Sequence, residues 1–350
     1  MNMKKIIYIF LSLLLVGAVS CDGETTSSFY DHPHHNVNGG GDGPDNPDKP
    51  DPDKPEKPEY DNTVYQLDNS LWKTTTVSDG VAWKNFEAMD VISGAAQVVN
   101  VLDVDLSAKK NEIKLVYYYP SVTTSTAMAN EKAVGAINAG YELASIFVKV
   151  AGQTYGSIKN AYIANVVPQW KNDGALFIDG DDVNISYCCK GMKLSAQRQF
   201  FFSCTEPNII SSAPMLIDDF EPVGEVFAKT DLTSDQVWAL NSEDPIRHQG
   251  VRHPRTAVAK TEDNHLLLIT VDGRRAGVTE GMTAKELTIF LKNWFKPQYA
   301  LNLDGGGSTT MCVKGYGDAG TNVVNYPCDN GKFDHDGERA RDTHICIIPK

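Results

Sequence analysis

From about Asn62 onward, apolar residues recur in two rhythms. Residues 96–106, 113–119 and 145–150 partly alternate apolar and polar positions, the period of a half-buried strand. Residues 174–180, 266–273 and 299–305 are apolar runs that end in an acid followed by glycine, and they read as strands ending in turns. One helix is well marked. In Thr283-Ala284-Lys285-Glu286 the Thr hydroxyl and the Glu carboxylate are spaced to satisfy each other's first-turn amides. Leu287, Phe290, Leu291 and Trp294 follow at helical spacing. Met282 before the cap pairs with Leu287 as a hydrophobic staple, and Pro297 closes the segment. The order over 266–305 is therefore strand, turn, helix, strand, turn. With both strands side by side in one sheet, Asp272 and Asp304 emerge at the same edge. These patterns predict an α+β fold, a single mixed domain over residues 62–350 built on a central sheet.

The first 61 residues do not belong to that pattern. Lys4 and Lys5 precede an apolar stretch over 6–16, too short for a good membrane span, and small residues follow at Gly17, Ala18 and Ser20. Residues 1–21 read as an export signal. Ala18-Val19-Ser20-Cys21 is a loose lipoprotein box, with Cys21 as the lipidated residue. A plain cleaved signal with an incidental Cys21 is the other reading. Residues 22–61 are rich in Pro, Asp and Gly and hold seven of the 17 prolines. They cannot bury apolar surface, so they are expected to form a disordered tether. The expected location is the outer membrane or cell surface, with membrane attachment through the N-terminal lipid. Within the tether, His32-Pro33-His34-His35 has metal-tract composition but is expected to be solvated linker.

Composition narrows the partners. The chain has 350 residues, 41% apolar and 22% charged, with a formal net charge of −13. A basic stripe for nucleic acid is not expected, and any bound phosphate must be held locally by a few arginines or by backbone amides. Besides Cys21 there are six cysteines, at 188, 189, 204, 312, 328 and 346. An even count permits disulfides in an exported protein. None has the C-x-x-C spacing, so a structural role or buried thiols are expected.

Candidate chemistry concentrates in Leu301-Asn302-Leu303-Asp304-Gly305-Gly306-Gly307-Ser308-Thr309-Thr310. Three glycines after a strand permit a sharp turn and close backbone approach. Successive exposed amides there make an anion nest, and the hydroxyls of Ser308 and Thr309 add donors. The run matches neither the dinucleotide fingerprint nor the Walker loop. Alone it is also compatible with a tight turn. Val271-Asp272-Gly273-Arg274-Arg275 brings a second acid and paired arginines suited to phosphate oxygens. Arg252-His253-Pro254-Arg255-Thr256 and Glu338-Arg339-Ala340-Arg341 add further cations.

Together with Ala136-Ile137-Asn138-Ala139-Gly140, Ala213-Pro214-Met215-Leu216 and Gly281-Met282-Thr283-Ala284, these motifs resemble, in order and spacing, the phosphodiester glycosidase family from about Gly80 to the C-terminus. The resemblance implies an α+β domain that cleaves a sugar from a phosphodiester and leaves a phosphomonoester. It places the family's motif positions on Asn138, Arg255, Asp272, Arg274, Asp304, Gly305, Gly306, Gly307 and Arg339. One stretch departs. Where the family usually reads Asn-Gly-Gly-Phe-Phe, this chain reads Asn138-Ala139-Gly140-Tyr141-Glu142.

A phosphomonoester is a good leaving group, so the need for a general acid falls and the need to hold an anion grows. One carboxylate then suffices as nucleophile or as base for water. The expected assignment has Asp304 as the acid/base or nucleophile, with Asp272 second and orienting Arg274. Arg255, Arg274 and Arg339 clamp phosphate. Gly305 to Gly307 donate amides, Ser308 or Thr309 adds a hydroxyl, and Asn138 contacts sugar or phosphate. The sequence assigns no definite cofactor, and a divalent cation bridging Asp304, Asp272 and phosphate is left open. The acidic runs at 179–182 and 334–337 miss the EF-hand spacing and read as polar turns. Two rival functions stand beside this: a non-catalytic glycan-binding surface lipoprotein, with Trp72, Trp83 and Trp170 stacking on sugar, and a phosphoesterase cleaving P–O.

Overall fold

The computed structural model describes residues 61–159, 168–189, 191–224 and 230–350. The export signal, Cys21, the histidine tract and all of the tether but Asp61 lie outside them. In chain order the strands are β1 (Trp72–Ser78), β2 (Val81–Asp90), β3 (Ala95–Asp105), β4 (Asn111–Val122), β5 (Gly135–Asn138), β6 (Phe147–Val150), β7 (Gln153–Ser157), β8 (Gly174–Asp179), β9 (Asp182–Ser186), β10 (Asn208–Ser212), β11 (Met215–Ile217), β12 (Arg255–Lys260), β13 (His265–Val271), β14 (Tyr299–Asn302), β15 (Met311–Val313) and β16 (Arg341–Pro349). The α-helices are α1 (Thr124–Glu131), α2 (Leu194–Ser203), α3 (Ser234–Ala239), α4 (Pro245–Gly250) and α5 (Ala284–Trp294).

The expectation of one central sheet needs correction. Among the described residues the strands form three antiparallel sheets, ordered β1-β2-β3-β13-β12-β14-β11, β7-β6-β10-β8-β9 and β15-β5-β16-β4. A single open sheet of this many twisted strands would leave long edges and an uncovered face, and splitting it lets the sheets bury one another's apolar sides. The main core does this, joining Leu102 and Leu268 of the first sheet, Leu176 and Ile210 of the second, and Ile137 and Ile345 of the third. The first sheet is buried on both faces. Val99, Val101 and Ile269 turn the other way and pack with Leu287, Phe290 and Leu291 of α5.

Helix α5 begins as its sequence predicts. Thr283 accepts from the Glu286 amide, and the Glu286 carboxylate accepts from the Thr283 amide. Met282 and Leu287 are both fully buried in the same cluster, which completes the staple. Trp72 packs against Phe86 and Trp294, and Trp83 donates to Asn100 while its ring meets Tyr316. These two tryptophans are core, not sugar platforms. The 179–182 run is the turn of the β8–β9 hairpin, and Asp334 caps its own loop by accepting from Asn330 and the Asp336 amide. All six described cysteines are free. Cys312 and Cys346 both pair with Ala136 from either side, two strands or about 10 Å apart, too far for a bond.

Strands β13 and β14 do lie in one sheet, with β12 between them and antiparallel to both. They run in the same direction, so Asp272 and Asp304 leave the sheet at one edge, as the sequence predicts. The start of β12 is there too, and β5 joins this edge because the Asp304 amide donates to Ala139 and the Asn138 amide to Thr310.

Candidate active site

Three of the sequence-chosen residues hold this edge together. Asn138 is fully buried, its amide group donating to the Asp304 carbonyl at 2.7 Å and accepting from Thr256 at 2.9 Å and the Thr310 amide at 3.0 Å. It rivets β5 to β12 and to the glycine turn. Arg255 is 1% exposed and donates to the carbonyls of Met282, His248 and Val251. Its guanidinium braces these three backbone segments from inside. Thr309 is likewise inward, its hydroxyl accepting from Thr256 at 3.3 Å.

The carboxylate that faces open chemistry is Asp304. Its Oδ2 lies 3.1 Å from Nη2 of Arg341, an ion pair by distance, yet it makes no well-directed hydrogen bond. Thr310 Oγ1 and Arg341 Nε are also buried without a hydrogen-bond partner, and the Ser308 hydroxyl has the Asp304 carboxylate beside it. Buried polar groups are rarely left so, and their gathering marks where a ligand would complete them. Burial pushes the Asp304 carboxyl above the usual range, against the pull of Arg341 and the nearby Ser308 hydroxyl. Arg341 carried no assigned role in the sequence reading. The signal was topological: β16 pairs antiparallel with β5, so its first residue arrives where β5 ends, beside Gly140, whose carbonyl Arg341 also binds at 3.0 Å.

Asp272 sits 1% exposed at the same edge with both oxygens occupied, by the Asn325 side chain at 2.7 Å and the Tyr326 amide at 3.0 Å. Burial lifts its carboxyl to about 7 despite those bonds. It anchors the start of a loop, residues 325–338, that runs over the glycine turn.

Two of the three glycines lie under guanidinium groups, and the third lies against a backbone carbonyl. A Cβ on Gly306, where φ is +62°, would stand 3.0 Å from Arg274, and one on Gly307 would stand 2.4 Å from Arg339 and 2.7 Å from Asp329. A Cβ on Gly305 would meet the Pro254 carbonyl at 2.6 Å. The Gly305 and Gly307 amides donate to no protein acceptor among the described residues, while Gly306 donates to Pro254. Arg274 reaches Cys328, and Cys328 in turn reaches the Gly306 carbonyl. Arg339 pairs with Asp329. Two arginines and two free amides thus converge on one turn, directly after Asp304. Among the described residues, no three His, Cys, Asp or Glu side chains gather as a metal site would.

A family model for phosphodiester glycosidases matches residues 131–348. The chain belongs to that family. Among solved structures, this phosphodiester glycosidase family member is similar to the zebrafish N-acetylglucosamine-1-phosphodiester alpha-N-acetylglucosaminidase catalytic domain auto-inhibited by its pro-peptide, at 18% identity and a TM-score of 0.51, covering 83% of this chain and 86% of that one. That likeness shows a shared fold. A hypothetical protein from Synechocystis follows at 15% identity and a TM-score of 0.47, covering 80% of this chain and 64% of that one, and nothing rests on it. No match was found among curated proteins.

Tyr141 and Glu142 contribute to a wall near Asp304. Tyr141 is buried, its hydroxyl donating to the Ala213 carbonyl at 2.9 Å. The Lys171 ammonium lies 4.7 Å over the Tyr141 ring and pairs with Glu142 and Glu243. Arg341 links this wall to Asp304, its guanidinium 3.1 Å from the Asp304 carboxylate and donating at 3.0 Å to the carbonyl of Gly140, two residues before Glu142. Trp170, alone of the three tryptophans considered for sugar stacking, stands here, 6.1 Å from Tyr141.

Proposed function

We propose that the chain hydrolyses a sugar-1-phosphodiester, releasing free sugar and a phosphomonoester. The observation that carries this reading is the junction of a buried, incompletely bonded carboxylate, Asp304, with a glycine turn overlaid by Arg274 and Arg339. Family membership supports the same reaction class. In the reaction the bond from the anomeric carbon to the phosphate oxygen breaks and its electron pair leaves with the phosphate. A water oxygen ends on the sugar carbon. Asp304 acts on the carbon side, directly or by taking the water's proton. The leaving phosphate gains charge as the bond breaks, and preorganised guanidinium groups and amides stabilise that charge more than they stabilise the diester. Ser308 supplies a hydroxyl at the same turn. Asp272 and Asn138 position this machinery without touching substrate.

The substrate is a glycosyl phosphodiester of bacterial or host glycans, presented to a lipid-anchored protein at the membrane surface. Purified protein is incubated with a panel of sugar-1-phosphodiesters, with and without chelator, and free sugar is separated from phosphomonoester. Sugar release that disappears in folded Asp304→Asn supports the reading, and the chelator arm reads any cation requirement. Unchanged turnover in that variant, or no turnover of any panel member, would overturn it. The binder and P–O phosphoesterase readings have no observation of their own in the site.

A further inference from the structure

The wall formed by Tyr141, Glu142, Trp170 and Lys171 has no part in the bond cleavage derived above. Its Lys171 side chain is 2% exposed, with the ammonium 3.1 Å from Glu142 and 2.6 Å from Glu243. Two carboxylates share this one ammonium, so Lys171 does not neutralise both of them. Glu142 is the carboxylate that faces solvent, its side chain 49% exposed against 18% for Glu243. Burial raises its carboxyl, but Lys171 and Arg341 outweigh that and hold it below the usual range, so it stays ionised.

Rings pack on the ammonium that Glu142 pairs with: Lys171 lies 4.7 Å over the Tyr141 ring and 5.6 Å over the Trp170 ring. Trp170 is half-buried, its indole N–H fixed on the Glu243 carbonyl at 3.0 Å. The His248 ring lies 4.8 Å from Trp170 and 5.6 Å from Tyr141, and its Nδ1 is buried with no hydrogen-bond partner. An aromatic face takes the apolar C–H face of a pyranose, while a carboxylate and a spare imidazole nitrogen take its hydroxyls. The glycine turn offers cations, and this wall offers negative charge. The two meet at Asp304, which fixes a polarity for any ligand lying across it: anion toward Arg274 and Arg339, hydroxyl-rich ring toward Glu142.

We propose that Glu142 and Trp170 form the sugar subsite of this active site, and that the sugar they take is neutral or bears an amine, and is not a sugar acid. The proposal rests on the sugar-phosphodiester reading. Hydroxyls and ammonium groups donate to Glu142, whereas a uronate would meet like charge. Glu142 is therefore a specificity-determining residue, and the wall discriminates by repulsion as well as by attraction.

Binding of free sugars tests this without relying on turnover. Methyl glucoside, glucosamine and glucuronate are titrated against the full protein by nuclear magnetic resonance, with Glu142→Gln and Trp170→Ala alongside and thermal melts confirming that each variant folds. The expected result is saturable binding of the first two, with glucuronate weaker by about tenfold or more. Glu142→Gln then loses about tenfold for the first two and narrows the gap to glucuronate, the scale of one charge-assisted hydrogen bond. Trp170→Ala weakens all binding. Equal affinities in wild type and Glu142→Gln, glucuronate bound as tightly as glucosamine, or no sugar bound by wild type would each overturn the proposal. Turnover of a glucosyl phosphodiester is followed in parallel. Glu142-dependent sugar binding without turnover sinks the hydrolase reading and keeps the subsite, while turnover with unchanged sugar binding in Glu142→Gln sinks the subsite alone.

Discussion

At the scale of single residues, the site turns on which polar groups are already satisfied. Asn138, Arg255 and Asp272 spend their hydrogen bonds inside the protein, while Asp304 meets the Arg341 guanidinium and the Ser308 hydroxyl, and Arg341 Nε and Thr310 Oγ1 stay without a hydrogen-bond partner. Residue type along the chain marked the first group and Asp304 equally, because an acid or an arginine reads the same whether it braces a turn or faces a ligand. Arg341 escaped notice because its position depends on where β16 meets β5. If Asp304 reacts in its ionised form, the rate falls as pH drops through a pKa above the ordinary carboxylate range. Arg341→Gln removes a charge that favours ionisation, so the acid limb of the kcat/KM profile should move to higher pH, and an unmoved limb would separate Arg341 from Asp304. Arg274→Ala and Arg339→Ala should each weaken inhibition by inorganic phosphate by about tenfold, the scale of a lost charge-assisted contact. Inhibition unchanged in both variants would remove these arginines from the anion site.

At the scale of elements, local patterns carried the parts that depend on neighbours in sequence. The capping box of α5 and the strand runs ending at Asp272 and Asp304 were legible because a cap or a buried strand is set by a few adjacent residues. Thr283→Ala should cost about 1 kcal/mol of stability, measured by chemical denaturation. The loop at 325–338 was not legible, since its path is set by contacts far away: Asp272 on Asn325 and Tyr326, Arg275 on Gly331, and Arg339 on Asp329. Asp272 ties this loop to a pH dependence. Its carboxyl rises from 3.8 unfolded to about 7 folded, so the folded protein binds its proton more tightly. The stability this contributes is present below the unfolded value and is lost as pH rises toward 7. Thermal melts of Asp272→Asn should lack that part of the decline between about pH 4 and 7 seen in wild type, the window set by the two values. Parallel declines would show that Asp272 does not titrate there.

At the scale of the whole molecule, the α+β class and the shared edge of Asp272 and Asp304 followed from strand frequency and from the repeated acid-glycine ending. The division into three sheets did not, because strand pairing over long separations leaves no local mark: β3 pairs with β13 across more than 150 residues. Among the described residues no helix is long and apolar enough to cross a membrane, and attachment through Cys21 stands as an expectation from the sequence. Cys21→Ser should move the protein from the membrane fraction to the soluble one in fractionated cells, and retention in the membrane would contradict the lipid anchor. The central claim is that one edge of one sheet breaks the bond between sugar carbon and phosphate oxygen. Hydrolysis of a sugar-1-phosphodiester in oxygen-18 water tests it most directly. The account predicts label in the released sugar and none in the phosphomonoester, with turnover absent in Asp304→Asn; label in the phosphate would contradict it.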